Sequence, residues 1–124
     1  MKKKINLSDI NDHDLIERFI VVARRMGTAV LDSEIREVNR MYHYMRAIDS
    51  ELRARGKDAR LKLEPLLSHK DRFVQYYAAQ KLIGLMPDRA RSVLEWNHKN
   101  GFDALAGDAG TMLHYIDTGF YKPD

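Results

Sequence analysis

The sequence predicts an all-α protein, and three observations carry that prediction. Apolar residues recur at spacings of three, four and seven in six successive stretches, the period of a helix that buries one face. The sustained apolar-polar alternation of a half-buried strand is missing, and no Asn-Gly or Asp-Gly turn joins alternating runs. Gly27, Gly56 and Gly101 close periodic stretches and Pro87 suits the start of one, the positions where helices stop and start. A chain of 124 residues fits one domain, predicted to span 1–124 with irregular ends at 1–11 and 119–124.

The first helix is expected after Asp12, with Leu15, Ile16, Phe19, Ile20, Ala23 and Met26 on one stripe and Gly27 closing it. Asp12 and Asp14 suit the positive end of its dipole. The second and most regular helix carries Leu31, Ile35, Val38, Tyr42, Met45, Ile48 and Leu52 as its seam and ends at Gly56. Asp58 can cap a third, short helix that uses Ala59, Leu63, Leu66 and Leu67. Pro65 lacks a backbone donor and crowds the carbonyl four residues back, so a kink or early end is predicted there.

A polar turn, Ser68 to Asp71, leads to a fourth helix ending near Met86. Pro87 fits the first turn of a fifth helix, which carries Ala90, Val93, Leu94 and Trp96 and stops at Asn100-Gly101. The sixth uses Leu105, Ala109, Met112, Leu113 and Ile116, while Gly107 and Gly110 lower its propensity and leave room for close helix contact.

Within Leu66 to Leu85, LLSHKDRFVQYYAAQKLIGL, the residues Val74, Ala78, Ala79 and Leu82 give the V-x3-A-A-x2-L spacing of an inner HEAT-type repeat helix. Small alanines there admit a neighbouring helix and the larger residues fill the seam. The expected architecture is therefore six helices in three stacked hairpins, paired 1-2, 3-4 and 5-6, as a short right-handed HEAT- or armadillo-like α-solenoid.

Composition excludes several classes of function. With no cysteine, disulfides, thiolate metal sites and cysteine nucleophiles are ruled out, and a reducing compartment, the cytoplasm, is the expected location. The basic start MKKKINLSDIND has no apolar run behind it, so no signal peptide is predicted. Apolar clusters such as Phe19 to Ala23 fall far short of the roughly 20 residues of a membrane span.

The net charge of +3 comes from 21 basic and 18 acidic residues, and Lys2, Lys3 and Lys4 account for the whole excess. Between Arg46 and Arg72 eight basic residues stand among five acidic ones, a mixture that reads as a solvated face rather than a one-sign patch.

The five histidines, His13, His43, His69, His98 and His114, never fall three or four apart on a helix, so no metal site and no cofactor is predicted. G-x-S-x-G, Gly-rich phosphate loops and H-E-x-x-H are missing, and carboxylate pairs such as Asp12/Asp14 and Glu34/Glu37 fit helix starts and solvated faces. No enzymatic activity is expected. The run from Asn39 to Arg46, NRMYHYMR, instead combines planar, hydrogen-bonding and aromatic groups on one helix. Arg40, His43, Tyr44 and Arg46 lie off its apolar seam, as do Gln75 and Tyr76 on the fourth helix and His114 and Tyr115 on the sixth. Tyrosine and arginine are common binding anchors, so these eight residues form the predicted binding surface, shared if second helices line one side of the array. The bland alternative is that Asn39 and Arg40 satisfy neighbouring carbonyls and acids.

The segments LIERFIVVA, EVNRMYHYM, ELRARGKDARLKLEPLLSHKDRFVQYYAAQKL, MPDRARSVLE and AGTMLHYIDTGFYKP, in this order and spacing, resemble an uncharacterised bacterial family, the domain of unknown function numbered two thousand and nineteen. The resemblance implies a small HEAT-like or armadillo-like helical fold and no reaction. HEAT-type repeats often place an arginine directly after the inner-helix valine, where it joins a ladder between repeats; here that position is Gln75. The functional expectation is a non-enzymatic protein-interaction module with a protein partner, and fold analogy alone adds an immunity or antitoxin-like role. The alternative is weak nucleic-acid association through Lys2 to Lys4 and Arg53, Arg55, Lys57, Arg60 and Lys62.

Overall fold

The computed structural model describes residues 6–101 and 103–124 and, among them, is entirely helical. Six α-helices, α1 (Asp12–Leu31), α2 (Ile35–Arg55), α3 (Lys57–Leu61), α4 (Arg72–Leu82), α5 (Pro87–Asn100) and α6 (Ala104–Asp117), are joined by short turns. Single-turn 3-10 segments precede α1 (Leu7–Asp9) and α4 (Glu64–Ser68).

Neighbouring helices pack in the expected order, α1 on α2 and α5 on α6, and α4 lies against α5, α1 and the 3-10 turn at Glu64–Ser68. The predicted third helix is divided. Helical bonding stops at Leu61, and Pro65 sits in the first turn of the 3-10 segment, where its missing donor costs nothing. That 3-10 segment, rather than α3, supplies the packing against α4, while α3 stays with α2. α1 also touches α6, which brings the first and last helices together.

α4 is the centre of the molecule. Val74, Ala78, Ala79 and Leu82 have no solvent exposure, so the inner-helix seam is where the spacing placed it. A second stripe, Tyr76, Ala79 and Ile83, is buried as well, because α1, α5 and the 3-10 turn enclose more than one face of the helix. Asp71 caps α4 with its carboxylate, accepting from the amides of Phe73 (2.9 Å) and Val74 (3.3 Å).

Two predicted boundaries move for steric reasons. α1 runs through Gly27 to Leu31, because Gly27 serves close packing rather than termination. A Cβ there would lie 2.2 Å from Cγ of Phe73, so only glycine lets α4 approach this closely. The turn to α2 is made instead by Asp32 to Glu34, with Ser33 at φ 55°. The α2 seam shifts by one residue in its first half: Met41, Met45, Ile48 and Leu52 are buried, whereas Tyr42 is 51% and Ile35 73% exposed. Leu31, at the end of α1, is exposed too, so of the apolar stripe read from Leu31 to Tyr42 only Val38 is half-buried. On α5, Trp96 is exposed and Asn97 takes the buried place.

Ala78→Asp should lower stability by about 3 kcal/mol or more, the order expected when a carboxylate is forced into an apolar seam without a partner. Thermal or urea unfolding of the variant checks this, and an unchanged midpoint would mean that α4 is not enclosed as described.

Candidate functional site

The sequence-predicted surface divides into three places. Arg40 and Tyr44, both exposed on α2, line an open groove of about 1710 Å³ between α2, α1 and the first 3-10 turn. His43 and Arg46 are exposed on the same helix outside that groove. His114 and Tyr115 are exposed on α6, where Tyr115 packs on Phe120 with ring centroids 4.9 Å apart. α2 packs on α1 and α3, and α6 on α5 and α1, so the two aromatic regions belong to different parts of the molecule.

Tyr76 must be removed from the surface. It is 3% exposed and meets Tyr77 edge-on at 5.0 Å. Burial pushes its phenol far up from the ordinary value, with Asp108 of α6 adding to the effect, and Tyr77 is pushed up to about 12 for the same reasons. The enclosure of α4 on a second side is what one-stripe periodicity missed. Gln75 is half-buried and spends its amide donor on the carbonyl of His69, so its role is to close the turn before α4.

The groove is built by antiparallel helices. Along α1 it is lined by Asp14, Glu17, Arg18, Val21, Val22 and Arg25, and along α2 in the reverse direction by Glu51, Ile48, Tyr44, Met41 and Arg40. Its charges are unevenly distributed. Asp9, Asp14, Glu17 and Glu51 stand towards the end near the 3-10 turn, together with Arg18 and with Glu51 paired to Arg55, and Arg25 and Arg40 stand at the other, with Val21 and Tyr44 exposed between. Arg25 lies 3.5 Å from Glu37 and Arg40 4.0 Å from it, loose exposed pairs that leave both guanidinium groups available to another carboxylate. Arg18, Val21 and Arg25 were overlooked in the sequence. They do carry a signal, a second row at spacings of three and four on the side of α1 opposite Phe19 and Ala23.

The basic stretch from Arg53 to Lys62 is largely committed to internal contacts. Arg55 pairs with Glu51 (2.9 Å) and Asp12 (2.7 Å) and donates to the carbonyls of Leu7 (2.9 Å) and Ile10 (2.5 Å), fixing the first 3-10 turn on α2. Lys62 reaches Asp12 at 2.6 Å, and Arg53 pairs with Asp49 and Asp124. Cations held this way do not present the one-sign patch that phosphate binding needs. Lys2, Lys3 and Lys4 lie outside the described residues.

A polar cluster not anticipated from the sequence joins α4, α5 and α6. Arg72 opens α4 and pairs with Asp103, the N-cap of α6, while its Nε donates to Oδ1 of the fully buried Asn97 at 3.4 Å. Asn97 in turn donates to the carbonyl of Val93 (3.0 Å). A Cβ on Gly101 would fall 2.4 Å from Nη2 of Arg72, so glycine there makes room for the guanidinium. The cluster is an internal clamp, in which Nη2 of Arg72 is buried without a hydrogen-bond partner among the described residues. Burial pushes the Asp103 carboxyl up, but the amide of Ala106 and the Arg72 guanidinium outweigh it and hold the group below its ordinary value. No group of three or more His, Asp or Glu side chains able to hold a metal ion occurs among the described residues. Among the same residues no helix is long and apolar enough to cross a membrane.

With this geometry in place, comparison with known proteins is informative about kinship and silent about chemistry. The sequence profile of the family described as domain of unknown function (DUF2019) matches residues 13–117, and the chain belongs to that family. The crystal structure of the protein RPA1889 from Rhodopseudomonas palustris CGA009 is similar at a TM-score of 0.89 and 32% identity, covering 98% of this chain and 100% of that one. No curated protein matches.

The acidic partners set the pH dependence of the fold. Hydrogen bonds from Lys62 and Arg55 hold Asp12 below the ordinary carboxylate value, and Arg91 does the same for Asp117. A depressed folded-state pKa contributes stability above the unfolded value, lost as the pH falls through the folded one. Stability should therefore fall below about pH 4. Asp12→Asn should flatten that fall in urea titrations run between neutral and acid pH; an unaltered slope would show that the Asp12 contacts are not kept in solution.

Proposed function

We propose that this protein is a non-enzymatic protein-interaction module, and that the groove between α1 and α2 receives an amphipathic helix of another protein. The observation that carries this reading is the groove itself: an open channel between antiparallel helices, apolar in the middle, with a surplus of carboxylates towards one end and Arg25 and Arg40 at the other. A helix seated there would lay its apolar stripe along Val21 and Tyr44 and set acidic residues against Arg25 and Arg40. Tyr44 is 52% exposed and brings large contact area while ordering few torsions, and arginine supplies the directional bonds common at binding hot spots.

The uneven distribution of charge would orient the bound helix and steer its approach. The α1/α2 and α5/α6 pairs, with α4 and its preceding 3-10 turn between them, support reading the fold as a short HEAT- or armadillo-like array, whose hairpins commonly serve as binding faces. A cysteine-free chain of this kind suits the cytoplasm.

Photo-crosslinking through benzoylphenylalanine at position 44, with position 99 on α5 as the control, identifies the partner. Arg40→Ala with Tyr44→Ala should then weaken the purified complex by about tenfold or more. The change in folding stability should stay within about 0.5 kcal/mol, as expected for exposed positions. Wild-type affinity in the double variant would refute the groove as the contact face.

A further inference from the structure

A second site lies on a different face and does not depend on the α1/α2 groove. Arg60 of α3 is 9% exposed, and its guanidinium donates to two main-chain oxygens, of Asp124 at 3.1 Å and of Lys81 at 3.4 Å. A buried guanidinium attracts negative charge, because its desolvation is offset only by well-placed acceptors. Two further cations stand close by. Arg53, at the end of α2, binds Asp49 through Nε (2.9 Å) and turns Nη1 outward to the Asp124 carboxylate (2.8 Å). Lys81, near the end of α4, is half-buried, and that burial pushes its ammonium pKa down although Asp49 is near. Asp49 is thus one fixed acid among three cations.

The chain itself shows how such a site is used. Beyond α6, Gly119 at φ +77° turns the backbone, Tyr121 donates its amide to the carbonyl of Tyr115 (3.0 Å), and Tyr121 to Asp124 return across α2, α3 and α4. The close of this segment rests on Gly84, where a Cβ would fall 2.4 Å from the carbonyl carbon of Asp124. Pro123 favours the extended backbone before it. Recognition therefore combines an aromatic ring, a stiff extended link, a side-chain carboxylate on Arg53 and a main-chain oxygen of Asp124 on Arg60. The hold is light, because the Asp124 side chain is 77% exposed and ion pairs of that kind are readily exchanged.

We propose that Arg53, Arg60 and Lys81, with the open backbone at Gly84, form a recognition site for an extended peptide of the pattern aromatic-x-Pro-acid, which residues 121–124 occupy in cis until a partner's segment displaces them. The cis segment acts as a local competitor at high effective concentration, so the apparent affinity for an external peptide is set by the fraction of molecules in which it has let go.

The probe is an acetylated synthetic peptide with the sequence of residues 119–124, titrated into the full chain and followed through the amide NMR signals of Gly84 and Lys81. The chain carrying both Tyr121→Ala and Asp124→Asn should bind it about fivefold or more tightly than the wild type, and a peptide ending in Asn should bind that variant about fivefold more weakly. Adding Arg53→Gln to the variant should weaken binding of the acidic peptide alone. Equal affinity of wild type and tail variant, equal affinity for the Asp and Asn peptides, or no saturable binding to the tail variant would each overturn the proposal. If Arg53→Gln prevents folding, the comparison of the two peptides decides the matter without it.

Discussion

The enclosure of α4 is the constraint on which the rest of the structure depends. A helix of 11 residues with two buried stripes has little surface left for water, so every neighbour must be brought to it and held. Short helices gain most of their stability from such packing rather than from propensity. Glycine and alanine set the distances: Gly27 admits Phe73, and Ala78 and Ala79 admit the flanking helices. The start of α4 is tied by charge. Asp71 caps it and meets Arg24 of α1 at 3.3 Å, and Arg72 reaches Asn97 of α5 and Asp103 of α6. Two adjacent residues thereby connect one helix end to three others.

Because α4 and its clamp are committed to the interior, the chemistry available to solvent lies on the peripheral helices. Most buried polar groups of the clamp bond to one another, as interior polar groups mostly do, while Nη2 of Arg72 is buried without a hydrogen-bond partner among the described residues. What remains towards the surface is the channel between α1 and α2 and, covered by the chain's own Asp124, the cationic recess at the ends of α2, α3 and α4. The first is apolar with charged ends and the second is basic with one fixed acid. They meet α2 at different places, the channel along Arg40 to Glu51 and the recess at Arg53 in the last turn.

The helices and the α4 seam were legible in the sequence because periodicity reports burial on one face directly. Val74, Ala78 and Leu82 recur at helical spacing and are all buried. The errors have a common physical source, which is that a single chain records one stripe per helix and not how many neighbours surround it. Tyr76 looked exposed because it lies off the main stripe, and Ile35 and Tyr42 looked buried because they lie on one; enclosure of α4 and the open edge of α2 reversed both. Gly27 carried two possible meanings, helix end or close approach, and only the position of Phe73 separates them. Of the residues expected at one surface, Arg40 and Tyr44 line a groove with Arg18 and Arg25, and the α6 aromatics do not join them. Asn97 and Arg72 could not be paired from sequence, since the contact spans two helices and depends on Gly101 being small.

Amide hydrogen exchange measured residue by residue in the native state tests the central claim, that α4 is the structural centre and the peripheral helices carry the exposed faces. The amides of Val74 to Leu82 should exchange only through global unfolding, at the free energy that urea denaturation gives, while those in the first half of α2 exchange through smaller local openings. Exchange from α4 as fast as from the first half of α2 would contradict the account.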